Sequence, residues 1–312
     1  MFVRFFFKIF FLLLFILSIS ILFERAQIDT RKLVRTDPMP YTKELMAEKK
    51  YADAHEYLSY FMNFDYVKNN PNAVELFNKI QNKRESFSYK TQKIWQGLIE
   101  GKSDETIGNT SAFISDLFLF GDLRDLTIQG LNYKNHEEVD EVIVMLSAVG
   151  VIASASTIAS AGTSVGTNVA ISTLKLAKRS NKIPNWISRY VKSTFGIMKR
   201  SKSIQPLSTI TQDIYKINKN VGIKHTLNIL NKTQNFKSLP KAVKMSAKYG
   251  KNSSVLLRIA GKNSIKLLDS LKNIPKNSVL LASQYGTNGL KALSKFGVKR
   301  FLIRTGKTAY KS

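Results

Sequence analysis

The chain has 312 residues, enough for two compact domains or one large helical body. It contains no Cys, which excludes disulfides, thiolate catalysis and metal sites built on Cys. The formal net charge of +26 is unevenly placed: residues 1–141 hold 18 Lys and Arg against 20 acids, whereas residues 142–312 hold 30 against two, Asp213 and Asp269. A half so poor in acids is expected to face an anionic partner, such as nucleic acid, an anionic leaflet or a polyanionic envelope polymer.

The first 23 residues form an apolar segment with a basic start. Arg4 and Lys8 precede residues 9–23, which carry no charge and are mostly Phe, Leu and Ile. This pattern predicts either a signal peptide or an uncleaved signal anchor. Because Ser18–Ser20 offers only a poor cleavage site, we favour an anchor over residues 1–23, with its amino terminus in the cytoplasm.

Residues 24–141 are predicted to form a neutral helical region. Apolar residues recur at helical spacing over 43–62, which indicates a helical pair or one bent helix. Asn70 and Pro71 then suit a helix start, and the apolar period continues for about 30 residues to Gly101. A helical hairpin of this kind is typical of a scaffold, so we predict a partner surface within 43–100.

A polar corner interrupts the next apolar run. In the stretch SDLFLFGDLRDL, Gly121 is predicted to end one helix and Asp122 to cap the next, with Arg124 and Asp125 in its first turn. The alternative is a polar cluster beside a membrane or a partner. An acid/base pair is disfavoured because no His or metal-ligand set is nearby.

A weak family resemblance covers residues 105–180. An apolar run, GDLRDL, a short polar loop and VDEVIVMLSAVGVIASAST follow one another there. This order resembles uncharacterised envelope-anchored bacterial proteins and the pre-toxin segment of polymorphic toxins. The resemblance implies a small helical module between an export region and a carboxy-terminal part. In pre-toxin families a toxin domain follows, whereas here a Lys-rich helical tail follows.

The uncharged stretch 142–174 permits two structures. It is long enough to cross a bilayer core of ~30 Å, and it also suits an Ala/Gly/Ser-rich helical hairpin that turns at Gly162. Acids precede it and Lys and Arg follow it, so the positive-inside rule would place residue 175 onward in the cytoplasm and 24–141 in the periplasm. We favour this second transmembrane segment over the hairpin.

Residues 175–312 are predicted to form basic amphipathic helices separated by Pro and Gly. The helical faces favour contact with an anionic leaflet, with nucleic acid as a weaker alternative and a solvated surface as the simplest one. His225 is expected to be an incidental exposed residue. The candidate anion-contacting residues are Lys241, Lys244, Lys248, Lys291, Lys295, Lys299, Arg300 and Arg304.

The sequence as a whole predicts an all-α, non-enzymatic protein of the bacterial inner membrane with a structural or interaction role. No GxSxG, HExxH, P-loop or dinucleotide motif occurs in a suitable setting, so we predict no catalytic, metal or cofactor site. The expected partner is the lipid bilayer. Two alternatives stay open: an exported toxin-like or pore-forming effector that inserts 142–174, and a membrane-tethered nucleic-acid binder.

Overall fold

The computed structural model describes residues 2–30, 33–86, 89, 129, 139–159 and 165–309. Within these ranges the chain forms α-helices and one 3-10 turn and contains no strand, which confirms the all-α prediction. The helices are α1 (Phe2–Thr30), α2 (Met39–Ala47), α3 (Tyr51–Phe61), α4 (Asp65–Lys68), α5 (Pro71–Glu85), α6 (Glu141–Ala159), α7 (Val165–Arg179), α8 (Asn185–Ser201), α9 (Ser208–Val221), α10 (Ile223–Leu230), α11 (Ser238–Tyr249), α12 (Asn252–Ala260), α13 (Ser264–Ser270), α14 (Lys276–Ser283) and α15 (Gly286–Ala309).

Helices α2, α3 and α5 form the predicted scaffold. The stretch 43–62 is a helical pair, and the break lies at Lys49, whose φ of 58° no α-helix accommodates. Helix α5 begins as predicted, with Asn70 Oδ1 accepting a hydrogen bond from the backbone N–H of Asn72 at 3.0 Å. Its buried Ala73 and Ile80 face the core, and α5 packs against α3 and α2.

The predicted length of α5 is wrong. The helix has 15 residues and ends at Glu85 instead of running on to Gly101. Ser86 is extended, with ψ of 138°, and its hydroxyl donates to the carbonyl of Lys83 at 2.7 Å and accepts from the N–H of Tyr89. A serine that bonds local backbone groups in this way competes with helix continuation, which apolar periodicity alone does not register.

The uncharged stretch forms two packed helices. α6 and α7 pack on each other, α6 packs on α8, and α7 packs on α9 and α10. Asp140 Oδ1 caps α6 by accepting from the N–H of Val142, while the other oxygen lies 3.0 Å from Lys178 Nζ on α7. Glu141 pairs with Lys192 of α8 at 2.6 Å. The acidic and basic flanks of this stretch therefore meet on one side, which corrects the prediction of a second transmembrane segment.

One apolar core extends from Leu45 to Phe301 and includes side chains from both halves of the chain. Helix α12 lies at its centre, since it packs against α3, α10, α11, α13, α14 and α15. Leu256 and Leu257 of this helix are buried, and so are Ser253 and Ser254. The short helices α10 to α14 are therefore arranged around α12, and α3 is placed against it.

Helix α1 differs from all of these helices in its exposure. Every side chain described for it, from Phe7 to Leu22, is exposed, including Phe11 at 65% and Leu22 at 64%. Among the described residues, no helix combines the length and the apolar character that crossing a membrane requires. The interpretation of residues 1–23 as a membrane anchor is thus not confirmed by the structure.

Replacing Gly289 by Ala should destabilise the protein. A Cβ atom at this position would lie 2.1 Å from the carbonyl oxygen of Ala282 and 2.7 Å from the Cβ of Tyr285, so the turn between α14 and α15 must open. We expect a loss of about 1–3 kcal/mol in the free energy of unfolding, as for other overpacked sites. Gly196→Ala is the matched control because nothing lies within 4 Å of its Cβ position in α8. Thermal unfolding that ranked the two variants equally would contradict this packing.

Candidate functional site

A cluster of enclosed charged side chains joins α3 to α10 and α12. Glu56 Oε2 lies 3.6 Å from Lys224 Nζ, and Oε1 lies 3.3 Å from His225 Nδ1 and accepts a hydrogen bond from the Ser254 hydroxyl. One turn away, Asp53 Oδ1 lies 2.9 Å from Arg258 Nη2. The side chains of these ion pairs are only 11–15% exposed. We call these six residues the interhelical charge cluster.

The Glu56 carboxylate is stabilised in its ionised form. Burial alone would raise its pKa, but His225, the charge of Lys224 and the Ser254 hydroxyl together lower the pKa to about 2. Burial likewise disfavours the Arg258 guanidinium, yet Asp53 and Glu56 more than compensate and raise its pKa above the usual value. Glu56 and Arg258 are therefore held in their charged forms by partners within the cluster.

This cluster corrects two predictions. His225 is an enclosed partner of Glu56, with its side chain 15% exposed, and is not an incidental surface residue. The placement of 24–141 and of residue 175 onward on opposite sides of a membrane is also wrong for the described residues, because Asp53 contacts Arg258 and α3 packs directly on α12. Elements in direct contact lie on the same side of any membrane.

A cleft of about 540 Å³ opens beside the cluster, between α2 and α3 on one side and α10 and α12 on the other. Five cations line it, among them Lys182 and Arg258, and three acids, Glu44, Glu48 and Asp53, stand between them. Lys182 Nζ also donates to Asn228 Oδ1 at 2.8 Å. Because acids stand among its cations, part of the positive charge of this cleft is neutralised within the protein.

Two of the predicted anion-contacting lysines on α11 have internal partners. Lys248 Nζ donates to the backbone carbonyls of Leu271, Lys272 and Ile274 at 3.0, 2.8 and 2.5 Å, just beyond the end of α13. Burial lowers its pKa. Lys241 Nζ lies 2.8 Å from Asp269. Lys248 is thus a structural cation that binds the carbonyl groups after a helix, an arrangement that favours positive charge.

The predicted cationic face of α15 is interrupted. Gly297 has φ of 71° and kinks the helix between Lys295 and Lys299, so the spacing from Lys291 does not describe one straight face. Lys295 Nζ and the Arg304 guanidinium lie 4.8 and 4.0 Å from the Phe296 ring centre. The remaining candidates, Lys244, Lys291, Lys299 and Arg300, are exposed.

A second cavity, of about 310 Å³, lies between the turn before α11 and the turn before α13. Ten residues line it, none of them an acid: Lys232, Gln234, Asn235, Lys237, Ser238, Lys241, Lys262, Asn263, Ile265 and Lys266. We call it the lysine cavity. No sequence motif indicates this cavity, because its five lysines lie in two separate segments, 232–241 and 262–266, which only the fold brings together.

The segment that follows α1 is bound to the helical body. The N–H of Thr36 donates to the Gln284 carbonyl at 2.7 Å, and the Tyr66 hydroxyl donates to the Thr36 carbonyl at 2.8 Å. Arg35 lies over the Tyr66 ring, 5.3 Å from its centre. Gly286, with φ of 65°, leaves room for Thr36, whose hydroxyl oxygen would lie 3.0 Å from an added Cβ. Thr36 therefore fixes the segment after α1 to the helical body at the turn between α14 and α15.

The predicted polar corner of Gly121, Asp122, Arg124 and Asp125 lies outside the described residues. Within the ranges that the structure describes, no group of three or more His, Asp or Glu side chains is placed to hold a metal ion.

No family model, curated protein or solved structure matches this chain. The resemblance to envelope-anchored proteins and to pre-toxin segments therefore stays a prediction.

Replacing Glu56 by Gln should destabilise the protein at neutral pH, since Lys224 and His225 would lose their enclosed counter-charge. We expect a loss of about 3 kcal/mol in the free energy of unfolding. The folded-state pKa of Glu56 lies below its unfolded value of about 4.5, so this stabilisation is present above pH ~5 and is lost as the pH falls toward 2. The stability difference between wild type and E56Q should narrow over that window in chemical denaturation.

Glu75→Gln on the exposed face of α5 is the control for Glu56→Gln, and it should stay within about 0.5 kcal/mol of wild type. Equal stabilities of the two variants at pH 7 would contradict the role of the charge cluster.

Lys248→Gln should destabilise the protein by about 2 kcal/mol, because three backbone carbonyls lose a charged donor. Lys244→Gln removes the same charge one turn earlier on α11, from an exposed position, and should leave the melting temperature nearly unchanged. Differential scanning calorimetry of both variants decides the point, and a melting temperature for K248Q that matched that of K244Q would refute the structural role of Lys248.

Proposed function

We propose that this protein is a non-enzymatic interaction protein of the bacterial inner membrane. In this proposal α1 embeds in the lipid and holds a cationic all-α body against an anionic leaflet. The proposal rests chiefly on one observation, which is the exposure of the apolar side chains of α1 on every face.

The apolar surface of α1 requires a partner. Thirteen large apolar side chains between Phe7 and Leu22 are more than 40% exposed. Burying each of them is worth about 1.5–3 kcal/mol, so their transfer into lipid is strongly favourable. An amphipathic surface helix would keep one polar face, but here the only polar residues over this span are Lys8, Ser18 and Ser20. This all-round apolar character favours insertion into lipid over docking on a protein groove.

The connection after α1 supports close contact between body and membrane. Five residues lie between the end of α1 at Thr30 and Thr36, which is bonded to Gln284 and Tyr66. A chain of that length spans at most ~20 Å, so Thr36 and the body around it stay within about 20 Å of the end of α1.

The charge of the body supports an anionic leaflet as the surface that it contacts. Among the candidate residues, Lys244, Lys291, Lys299 and Arg300 are exposed, and each contributes about 1 kcal/mol when it lies near an anionic leaflet. Lys248 does not belong to this set because its ammonium group already binds backbone carbonyls. The protein-partner role predicted for 43–100 fits the exposed side of α5, which carries Val74 and Glu75.

Charges placed within α1 should release the protein from the membrane. The full chain, expressed in a bacterium, is expected to sediment with membranes and to resist a high-salt wash. Leu13→Lys combined with Ile16→Lys, at positions 60% and 54% exposed, should move it to the supernatant, because lysines at the centre of an inserted helix are costly.

The control for α1 is Val151→Lys combined with Ile197→Lys, which places the same two charges at exposed apolar positions of the body. This variant should remain with the membranes. A mature protein whose intact mass lacks residues 1–23 would refute the anchor and favour the cleaved signal peptide. Release of the control together with the α1 variant would refute the assignment of membrane binding to α1.

A further inference from the structure

We infer that the lysine cavity binds a compact anion that carries two or more phosphate groups. This inference goes beyond membrane attachment, because the cavity belongs to the helical body and does not involve α1. Three features of the cavity support it: its positive charge, the lack of acidic partners for four of its lysines among the described residues, and its size.

The charge of the cavity is not balanced internally. Among the described residues, the carboxylate of Asp269 pairs with Lys241 at 2.8 Å, while Lys232, Lys237, Lys262 and Lys266 have no acidic partner within ion-pair distance. The 540 Å³ cleft provides the contrast, since three acids stand among its lysines. Four unpaired ammonium groups around one small cavity repel one another, and an anion bound between them would relieve that repulsion.

The lysines, and not the backbone amides, are the groups available to such a ligand. The N–H groups of Gln234 and Asn235 donate to the Ser238 hydroxyl, and the N–H of Ser238 donates to Asn235 Oδ1 at 3.1 Å. These bonds satisfy the amides of the turn before α11 and give the turn a defined shape. The side chains of Lys237, Lys262 and Lys266 are exposed and can close over a ligand.

The size and chemistry of the cavity favour a phosphate compound. A volume of about 310 Å³ lies at the lower end of the range for small-ligand sites, which is roughly 300–1,000 Å³. Ammonium groups bind phosphate oxygens as point charges, and Gln234, Asn235 and Asn263 provide neutral donors beside them. Four ammonium groups on two segments carry more positive charge than one phosphate neutralises, so a ligand with two or three phosphates matches them better.

Isothermal titration of the full chain in detergent, at 150 mM salt, tests the inference with two probes. Inorganic tripolyphosphate represents a free ligand, and dihexanoyl phosphatidylinositol 4-phosphate, which carries two phosphates and is kept below its micelle concentration, represents a lipid headgroup. Wild type should bind at least one of them with 1:1 stoichiometry, and the tighter probe identifies the source. The bound anion should also raise the melting temperature, since it binds only the folded state.

The variant K237Q/K262Q/K266Q should lose binding at least tenfold, because three charge-assisted contacts disappear. Without ligand it should melt no lower than wild type, since the repulsion between these lysines is relieved. The control K199Q/K219Q/K276Q removes three exposed lysines from outside the cavity and should change the affinity by less than about threefold at this ionic strength.

Two results would overturn the inference. If neither probe bound to wild type, the cavity would be no phosphate site. If the cavity variant and the control lost the same affinity, the probes would be responding to the overall positive field of the protein. Membrane sedimentation of the α1 variant tests the proposed function, and the titration tests the lysine cavity. Failure of the membrane proposal would therefore not change the titration result.

Discussion

The contact on which the arrangement of the two chain halves depends is the pairing of Asp53 and Glu56 with Arg258, Lys224 and His225. The second half of the chain has 30 Lys and Arg but only two acids, and its enclosed cations Lys224 and Arg258 take their counter-charge from the first half. Helix α3 supplies two carboxylates on one face, at positions i and i+3. The neutral half and the basic half are consequently parts of one folding unit. Neither half is expected to fold stably by itself, because its enclosed charges would lack their counter-charges.

Because acids are scarce in the second half of the chain, its cations fall into two groups, those with a partner among the described residues and those without one there. Lys248 and Lys241 are bound internally, by backbone carbonyls and by Asp269, and contribute to the packing of α11 on α13. The exposed cations and the lysine cavity are the groups that we propose for binding an external anion. Some lysines of this protein therefore stabilise its fold, and others are proposed to bind an anion. The contacts of each side chain decide to which group a lysine belongs.

The sequence was sufficient to predict those elements that depend on neighbouring residues in the chain. Asn70 and Pro71 mark the start of α5, and the helical class follows from periodicity without strand alternation. The sequence could not reveal that Glu56 meets His225, because residues so far apart are brought together only when α3 and α10 both pack on α12. Lys244 and Lys248 make the same point within one helix, since identical residues one turn apart are exposed in one case and bound to carbonyls in the other.

The charge break near residue 141 shows how a correct pattern led to a wrong topology. The acids before the uncharged stretch and the basic residues after it resemble the two sides of a membrane crossing. In the structure the same residues face each other, with Asp140 at 3.0 Å from Lys178 and Glu141 at 2.6 Å from Lys192. Opposite charges at the two ends of a hairpin attract, so the asymmetry that would orient a single transmembrane helix also closes two packed helices. The distinction lies in the return helix α7, where Ile171 and Leu174 are buried in the core while Lys178 on the same helix reaches the acids.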